Sequence, residues 1–441
     1  MTDVRAVAYE ALLLADESRG CRLSTGDVLD RYSYLDRADR NFLKRLIEGT
    51  IERRITIDHV LDLFSSVPVR RMKKQIRTAL RMGTYQLLYM ESVPDHAAVS
   101  ETVGLVKKKG LSKLSGFVNG IMRNIARNRD NISWPDREAD PVKFMSVFYS
   151  CPEWIVRKLI DESGEENALS LLKVSVSDRP ISARINLSKA SAEDIISGCS
   201  CRPSGILDCA VILEDTDDIR SLTPFVSGRI FIQDISSMLV CIAAGIREDD
   251  TVLDLCAAPG GKSLHAADMA VKGHVISCDV SADKVEKINE NIQRCGFSNI
   301  STRVSDATVF DETMCDMADV VIADVPCSGL GVMGRKNDIK YNISEEAVAS
   351  LAKLQRRIVD NAVRYVKPGG ILMYSTCTCS RAENTDNMNY LIKEHGLSPV
   401  DFYDTLPERL KNDTAREGYL QLYGADGLTD GFFIGKLKKH E

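Results

Sequence analysis

No apolar run in the 441 residues approaches the roughly 18 needed to cross a bilayer. The N-terminus, which carries Asp3 and Arg5, has no sustained apolar stretch either. It does not read as a secretory signal, and the chain is expected in the cytoplasm, away from membranes. There are 13 cysteines but no C-x-x-C spacing, and the pairs Cys199/Cys201 and Cys377/Cys379 have no histidine or further cysteine beside them. That pattern argues against a metal, and a reducing setting argues for free thiols. The P-loop G-x-x-x-x-G-K-[ST] is missing, and the strand–turn–helix stretch around Gly260 does not carry the dinucleotide fingerprint G-x-G-x-x-G.

What is present is ordinary globular composition, 44% hydrophobic and 27% charged, enough for two or three domains. The net charge of −6 hides an asymmetry: residues 1–130 hold 23 Lys and Arg against 16 Asp and Glu. A basic front on an acidic chain points to a polyanionic partner.

Residues 1–130 read as helical. Phe42, Leu43, Leu46, Ile47 and Ile51 recur at helical spacing. From Val67 to Arg81 the bases Arg70, Arg71, Lys73, Lys74, Arg77 and Arg81 stand without an acid, interleaved with apolar residues. Lys107, Lys108, Lys109, Lys113, Arg123, Arg127 and Arg129 form a second cluster. Residues 131–240 read as a linker and a small α+β adaptor, with strands at Ile181–Asn186 and Arg229–Asp234. From 241 to 441 strands and helices alternate. The strands are Val252–Cys256, His274–Cys278, Ile300–Val304, Val320–Asp324, Ile371–Ser375 and Phe432–Leu437. Such alternation builds a mainly parallel, Rossmann-like sheet with helices on both faces.

The first of those strands runs into Ala257-Ala258-Pro259-Gly260-Gly261-Lys262, where glycines let a ligand approach the backbone at a helix N-terminus. The next strands end on Asp279, suited to a ribose diol, and near Asp306, suited to an adenine edge. Acids at successive strand ends without a phosphate loop suggest a nucleoside cofactor lacking phosphates, which S-adenosylmethionine is.

Two further strands each lead to a cysteine, Asp324-Val-Pro-Cys327 and Ser375-Thr-Cys377. C5 of cytosine becomes nucleophilic only when a thiolate adds to C6 and N3 is protonated or hydrogen-bonded; a base must later remove the C5 proton and release the thiol. Cys377, Cys327 and Asp324 supply the group types that this chemistry needs.

Several motifs together carry a resemblance: Pro180-x-x-x-Arg184-x-Asn186, Gln233-Asp-x-Ser236, Asp254-x-Cys-Ala-Ala-Pro-Gly-Gly-Lys262, Asp324-Val-Pro-Cys-Ser-Gly329, Tyr374-Ser-Thr-Cys-Thr378 with Glu383-Asn384, and Asp430-Gly-Phe-Phe433. Over nearly its whole length the chain resembles the RNA 5-methylcytosine methyltransferases of the Nop2, Nsun and Fmu/Sun (RsmB) type. Its front, through Asp39-Arg-Asn-Phe42 and Phe117-Val-Asn-Gly-Ile-Met-Arg123, is similar to the NusB-like RNA-binding domain.

The resemblance implies a monomeric enzyme acting on 16S rRNA, free or in an assembling small ribosomal subunit, at a cytosine of the 967 type. It makes Cys377 the nucleophile, Cys327 the releasing residue and Asp324 the contact to N3. The cofactor contacts it implies are Cys256, Ala257, Ala258, Pro259, Gly260, Gly261, Lys262, Asp279, Lys284, Asp306 and Asp324. RNA contacts are expected at Arg184, Asn186, Arg335, Lys336, Lys340, Arg70, Arg71, Lys73 and Lys74. A tRNA substrate, or an RNA-binding factor with a decayed catalytic part, stays open as an alternative. Cys379, two positions after the nucleophile, is a competing thiol; the spacing to Glu383-Asn384 favours Cys377.

Overall fold

The computed structural model describes residues 3–17, 25–214, 216 and 218–441. Two compact units divide the chain, Met1–Lys158 with Lys336–Asn342, and Leu159–Arg335 with Ile343–Glu441.

The first unit is helical, as its apolar spacing predicts. Helices Val4–Glu17, Arg37–Glu52, Arg54–Phe64, Lys74–Tyr89, Asp95–Lys108 and Ser115–Asn128 surround a core that includes Leu43, Leu46, Ile57, Leu80 and Ile125. The unit runs past the expected limit at 130. Helix Pro141–Phe148 and the turn after it are hydrogen-bonded to helix Arg54–Phe64, through Thr56 Oγ1 to the Val147 carbonyl (2.6 Å) and the Ile55 amide to Ser150 Oγ (3.0 Å). It also takes in residues 336–342, which follow a strand of the other unit by a dozen positions.

The second unit contains two sheets. Strands β1 (Ile181–Ile185), β2 (Cys201–Pro203), β3 (Ala210–Leu213) and β4 (Ile230–Ile232) form an antiparallel sheet in the order β2-β3-β1-β4. The larger sheet comprises β5 (Thr251–Asp254), β6 (His274–Asp279), β7 (Ile300–Val304), β8 (Ala318–Asp324), β9 (Val366–Thr376), β10 (Ser398–Pro399), β11 (Tyr419–Tyr423) and β12 (Gly431–Lys438). Its order is β10-β12-β9-β8-β5-β6-β7, with β11 paired to β12. Strands β5 to β9 pair in parallel; β12 runs antiparallel to β9. The small sheet belongs to the same compact unit as the larger one. Its strand β1 is tied across by Asn186 Nδ2, which donates to the Cys295 carbonyl at 3.0 Å.

Chain order reverses at β5, flanked by β8 on one side and β6 on the other. A reversal of this kind opens a crevice at the carboxyl ends of the two strands. Here those ends are Asp254 and Asp324.

Candidate active site

A cavity of about 220 Å³ lies at that crevice, and Asp254, Asp324, Lys262, Ser237, Asp234 and Phe231 are among its lining residues. The loop after β5 contributes Cys256, Ala257, Ala258, Pro259 and Gly261 to the same wall. Gly260 sits at φ +104°, which disfavours any side chain, and opens helix Gly261–Met269. At Gly261 a Cβ would come 3.1 Å from the Phe231 ring, tighter than ordinary contact.

Asp254 is fully buried. Ser263 Oγ donates to its Oδ2 at 2.7 Å, while Oδ1 has no partner among the described residues. Burial pushes its carboxyl up to about 7. Asp279 at the end of β6 accepts from the Ala258 amide (3.0 Å) and the Val280 amide (2.8 Å), so it also pins the loop; Lys284 Nζ stands 3.0 Å from its Oδ1. Asp306 is exposed and accepts from the Thr308 amide and hydroxyl, bonds that hold its carboxyl below the usual range. It does not line the cavity of the β5–β8 crevice. Val280, Val304 and Val309 are exposed apolar residues close in sequence to Asp279 and Asp306, and the sequence assigned them no role at the site.

On the β8 side Lys262 and Asp324 form an ion pair, Nζ to Oδ2 2.6 Å. Ser375 Oγ of β9 donates to Asp324 Oδ1 at 2.7 Å, and Lys262 Nζ also donates to Ser237 Oγ at 2.9 Å. Burial opposes the lysine's charge, but the Asp324 carboxylate outweighs it, and Lys262 stands above the ordinary lysine range. The two cysteines meet beyond this pair, Cys327 Sγ to Cys377 Sγ 3.3 Å. The bond to Cys377 and burial both raise the Cys327 thiol well above its usual value. Cys379 points elsewhere: it is buried, with Sγ 3.7 Å from the Leu422 carbonyl in β11.

The spacing G-x-G-x-x-G does occur, at Gly329, Gly331 and Gly334, but after β8 and away from any dinucleotide turn. Close packing accounts for two of these glycines. A Cβ on Gly331 would collide with the Gly431 carbonyl, and one on Gly334 would press on Ser175.

Comparison with known proteins follows this geometry closely. The model of the family described as 16S rRNA methyltransferase RsmB/F matches residues 241–438, and that of the NusB family matches residues 2–127. A protein of Bacillus subtilis, described as a probable ribosomal RNA small subunit methyltransferase B, is 35% identical, covering 99% of each chain. The chain belongs to the RsmB/F family. A Synechocystis protein of the same description is 29% identical over 100% of both chains. Among solved structures, PH0851 matches with TM-score 0.77 at 22% identity, over 100% of this chain and 99% of its own. NSun6 from Pyrococcus horikoshii with SFG matches with TM-score 0.58 at 21% identity, over 66% and 98%. These two likenesses concern the fold.

As a member of this family the chain is an RNA methyltransferase, and S-adenosylmethionine is its methyl donor. The residues at the β5 crevice fit that cofactor: a glycine cradle without side chains, a buried carboxylate oxygen left without a partner, and no anion-binding lysine loop. Among the described residues no group of His, Cys, Asp and Glu could hold a metal, and no helix is long and apolar enough to cross a membrane.

The expected RNA contacts divide sharply. Arg184 is 1% exposed; its guanidinium donates to Asp268 Oδ2 (3.1 Å) and Gln233 Oε1 (3.2 Å), so it serves the fold and is not available to RNA. Asn186 is buried between the Gly228 and Cys295 carbonyls. Lys340 is 1% exposed inside the helical unit, where burial lowers its amine to about 8. Its neighbour Tyr341 donates to the Glu52 carbonyl at 3.0 Å and lies under the Arg54 guanidinium, 3.8 Å from CZ to ring centre. Arg335 is engaged by Asp234 (2.8 Å) and Asp430 (2.6 Å). Lys336, Arg70, Arg71 and Lys73 are exposed, and Lys74 is half-buried. In the second basic cluster Lys108 pairs with Asp3, Lys109 with Glu10 and Arg129 with Asp95.

Proposed function

We propose that this RNA methyltransferase acts at C5 of a cytosine in 16S rRNA, through a covalent bond from Cys377 to C6. The contact between Cys327 and Cys377 carries the proposal, because two thiols 3.3 Å apart beside a braced carboxylate serve both attack and release. Bound S-adenosylmethionine supplies an electrophilic methyl group. Cys377 adds to C6 and turns the ring into an enamine with its electron density at C5. The proton that the Cys377 thiol gives up passes by way of the Asp324 carboxylate, fixed from two sides by Lys262 and Ser375, to N3 as that density builds, and C5 then takes the methyl group. Two of the three Lys262 N–H bonds are used by Asp324 and Ser237, so one is left for the base. Cys327 then assists loss of the C5 proton and release of Cys377.

The B. subtilis relative's description names the small subunit rRNA, which supports that substrate over tRNA. The exposed Arg70, Arg71 and Lys73, with Lys336, are the bases proposed to meet RNA phosphates. The test is methyl transfer to 16S rRNA followed by bisulfite sequencing. Wild type should protect one cytosine from conversion, and Cys377→Ala should protect none while still binding S-adenosylmethionine. Normal turnover by Cys377→Ala, or a methyl group found elsewhere than cytosine C5, would overturn the reading.

A further inference from the structure

Between β9 and helix Thr385–His395 the short turn Arg381–Glu383 carries a carboxylate that the chemistry above does not use. Glu383 is 0% exposed. Its Oε1 accepts from the Ser328 amide at 2.8 Å and from Gln355 Nε2 at 3.0 Å. Its Oε2 accepts from the Ser328 hydroxyl at 2.5 Å, with the Thr378 hydroxyl 3.4 Å away. The Ser328 and Thr378 hydroxyl oxygens lie 2.7 Å apart, so Thr378 donates to Ser328 while Ser328 donates to Glu383. The Ser328 amide and hydroxyl and Gln355 Nε2 all donate to the carboxylate, as an acceptor-only side chain requires.

The residues so gripped flank the thiols. Ser328 follows Cys327, and Thr378 follows Cys377. Gln355 Nε2 also donates to the Pro326 carbonyl at 3.0 Å, so Cys327 is held on both sides. Asn384, next to Glu383, does the same for Cys377: it accepts from Thr376 Oγ1 (2.5 Å) and donates to the Thr378 carbonyl (2.9 Å). The two loops also meet directly, through the Gly331 amide to the Cys377 carbonyl (3.1 Å), and Glu383 adds a bond to Ser328 and, through that hydroxyl, a link to Thr378.

We propose that Glu383 is a positioning residue which, through Ser328 and Thr378, holds the Cys327 and Cys377 loops in the one register that brings their thiols into contact. It touches neither sulfur nor substrate. A buried carboxylate is costly unless its acceptor sites are filled, and here the carboxylate follows Cys377 by six residues while two of its donors come from Ser328, in the Cys327 loop. Separating the loops strips donors from a buried charge, so the penalty itself resists the separation. The kinetic part of this proposal rests on the two-cysteine reaction above; the geometric part does not.

The experiment uses the full chain and two readouts. Diamide oxidises a pair of touching thiols, taking two hydrogens to become the hydrazine and leaving a disulfide. The rate of appearance of the Cys327–Cys377 linked peptide, followed by mass spectrometry, therefore reports thiol contact without reference to methyl transfer. Glu383→Gln keeps the shape but turns one acceptor into a donor facing donors. It should slow the linked peptide and, in parallel, lower kcat on the order of 10²-fold, with KM for S-adenosylmethionine unchanged. Ser328→Ala, which removes one of the two bridging hydroxyls, should show a smaller change of the same kind. Wild-type oxidation rate in Glu383→Gln overturns the proposal, whether or not kcat falls, since a kcat loss alone would make the carboxylate part of the chemistry. Should Glu383→Ala fail to fold, the isosteric Gln variant, checked by S-adenosylmethionine binding, still decides. Turnover by Cys377→Ala would sink the two-cysteine reaction and leave the oxidation readout as the judge of Glu383.

Discussion

The ends of β8 and β9 each lead to a cysteine, yet they are built differently. At β8 the carboxylate comes first, half-buried at the crevice and braced by Lys262 and Ser375, and the thiol follows three residues later beyond Val325 and Pro326. At β9 no carboxylate faces the crevice; Ser375 serves its neighbour's Asp324, and Cys377 is bracketed directly by Asn384 through Thr376 and Thr378. One strand end therefore offers two functions spread along a turn, and the other a single sulfur fixed on both flanks. That difference accords with the proposed roles, attack by Cys377 and proton handling at the strand end that carries the carboxylate.

The sharpest way to break this comparison is to remove the two sulfurs in turn. Each single alanine variant should lose at least about 10³-fold in turnover. Only Cys327→Ala should retain RNA as a covalent complex, seen as a retarded band on a denaturing gel. Cys327→Ala combined with Cys377→Ala should show no such band. A trapped complex in Cys377→Ala would exchange the two roles.

Next in size is the carboxylate. Asp324→Asn keeps hydrogen-bonding capacity toward Ser375 but loses the charge that pairs with Lys262. Turnover should fall by roughly 10²-fold or more, the usual worth of a positioned acid–base group. Binding of S-adenosylmethionine, measured by calorimetry, should fall by less than turnover, since Asp324 is one residue among many in the cofactor wall. If cofactor affinity fell as far as turnover, Asp324 would serve the cofactor alone and not the base.

Much of this was legible in the chain. Apolar runs located the β5, β6, β8 and β9 strands, and the residues after them located the crevice, because a buried parallel strand must be apolar throughout and chemistry collects at its carboxyl end. What stayed hidden was pairing over long separations. Arg184 looks like a surface cation until Asp268, 84 positions on, is brought to its side. Lys340 looks like an RNA contact until residues 336–342 are found in the helical unit. The alternation of Tyr419-Leu-Gln-Leu-Tyr423 is that of a strand, and its pairing with β12 depends on a turn too irregular to read from the sequence. Glu383 was visible as a spacing marker; its bonds to both cysteine loops were not.

Asp254, across the crevice from Asp324, gives a smaller test in which pH is the variable. Its folded carboxyl is raised to about 7 from an unfolded 3.8, mainly by burial. The folded state thus binds the extra proton, and this contribution to stability is complete at low pH and lost as pH rises through about 7. Asp254→Asn cannot titrate. The melting temperature of wild type relative to this variant should therefore decline between about pH 4 and about pH 7 and level off above. A constant difference, measured by scanning fluorimetry, would mean that Asp254 is ionised throughout.

Cys379 sets the lower limit of the comparison. It shares β9's loop with Cys377, but its sulfur packs beneath β11 near Gly431, with burial holding the thiol well above its usual range. Burial of this kind disfavours the thiolate that attack requires. Cys379→Ala should cost about 1 kcal/mol of stability, the scale of one small buried group, and leave methyl transfer as in wild type. The urea midpoint and the initial rate measure the two effects separately. A variant that kept its stability and lost its rate would move the nucleophile two residues along the chain, and with it the division of labour between β8 and β9.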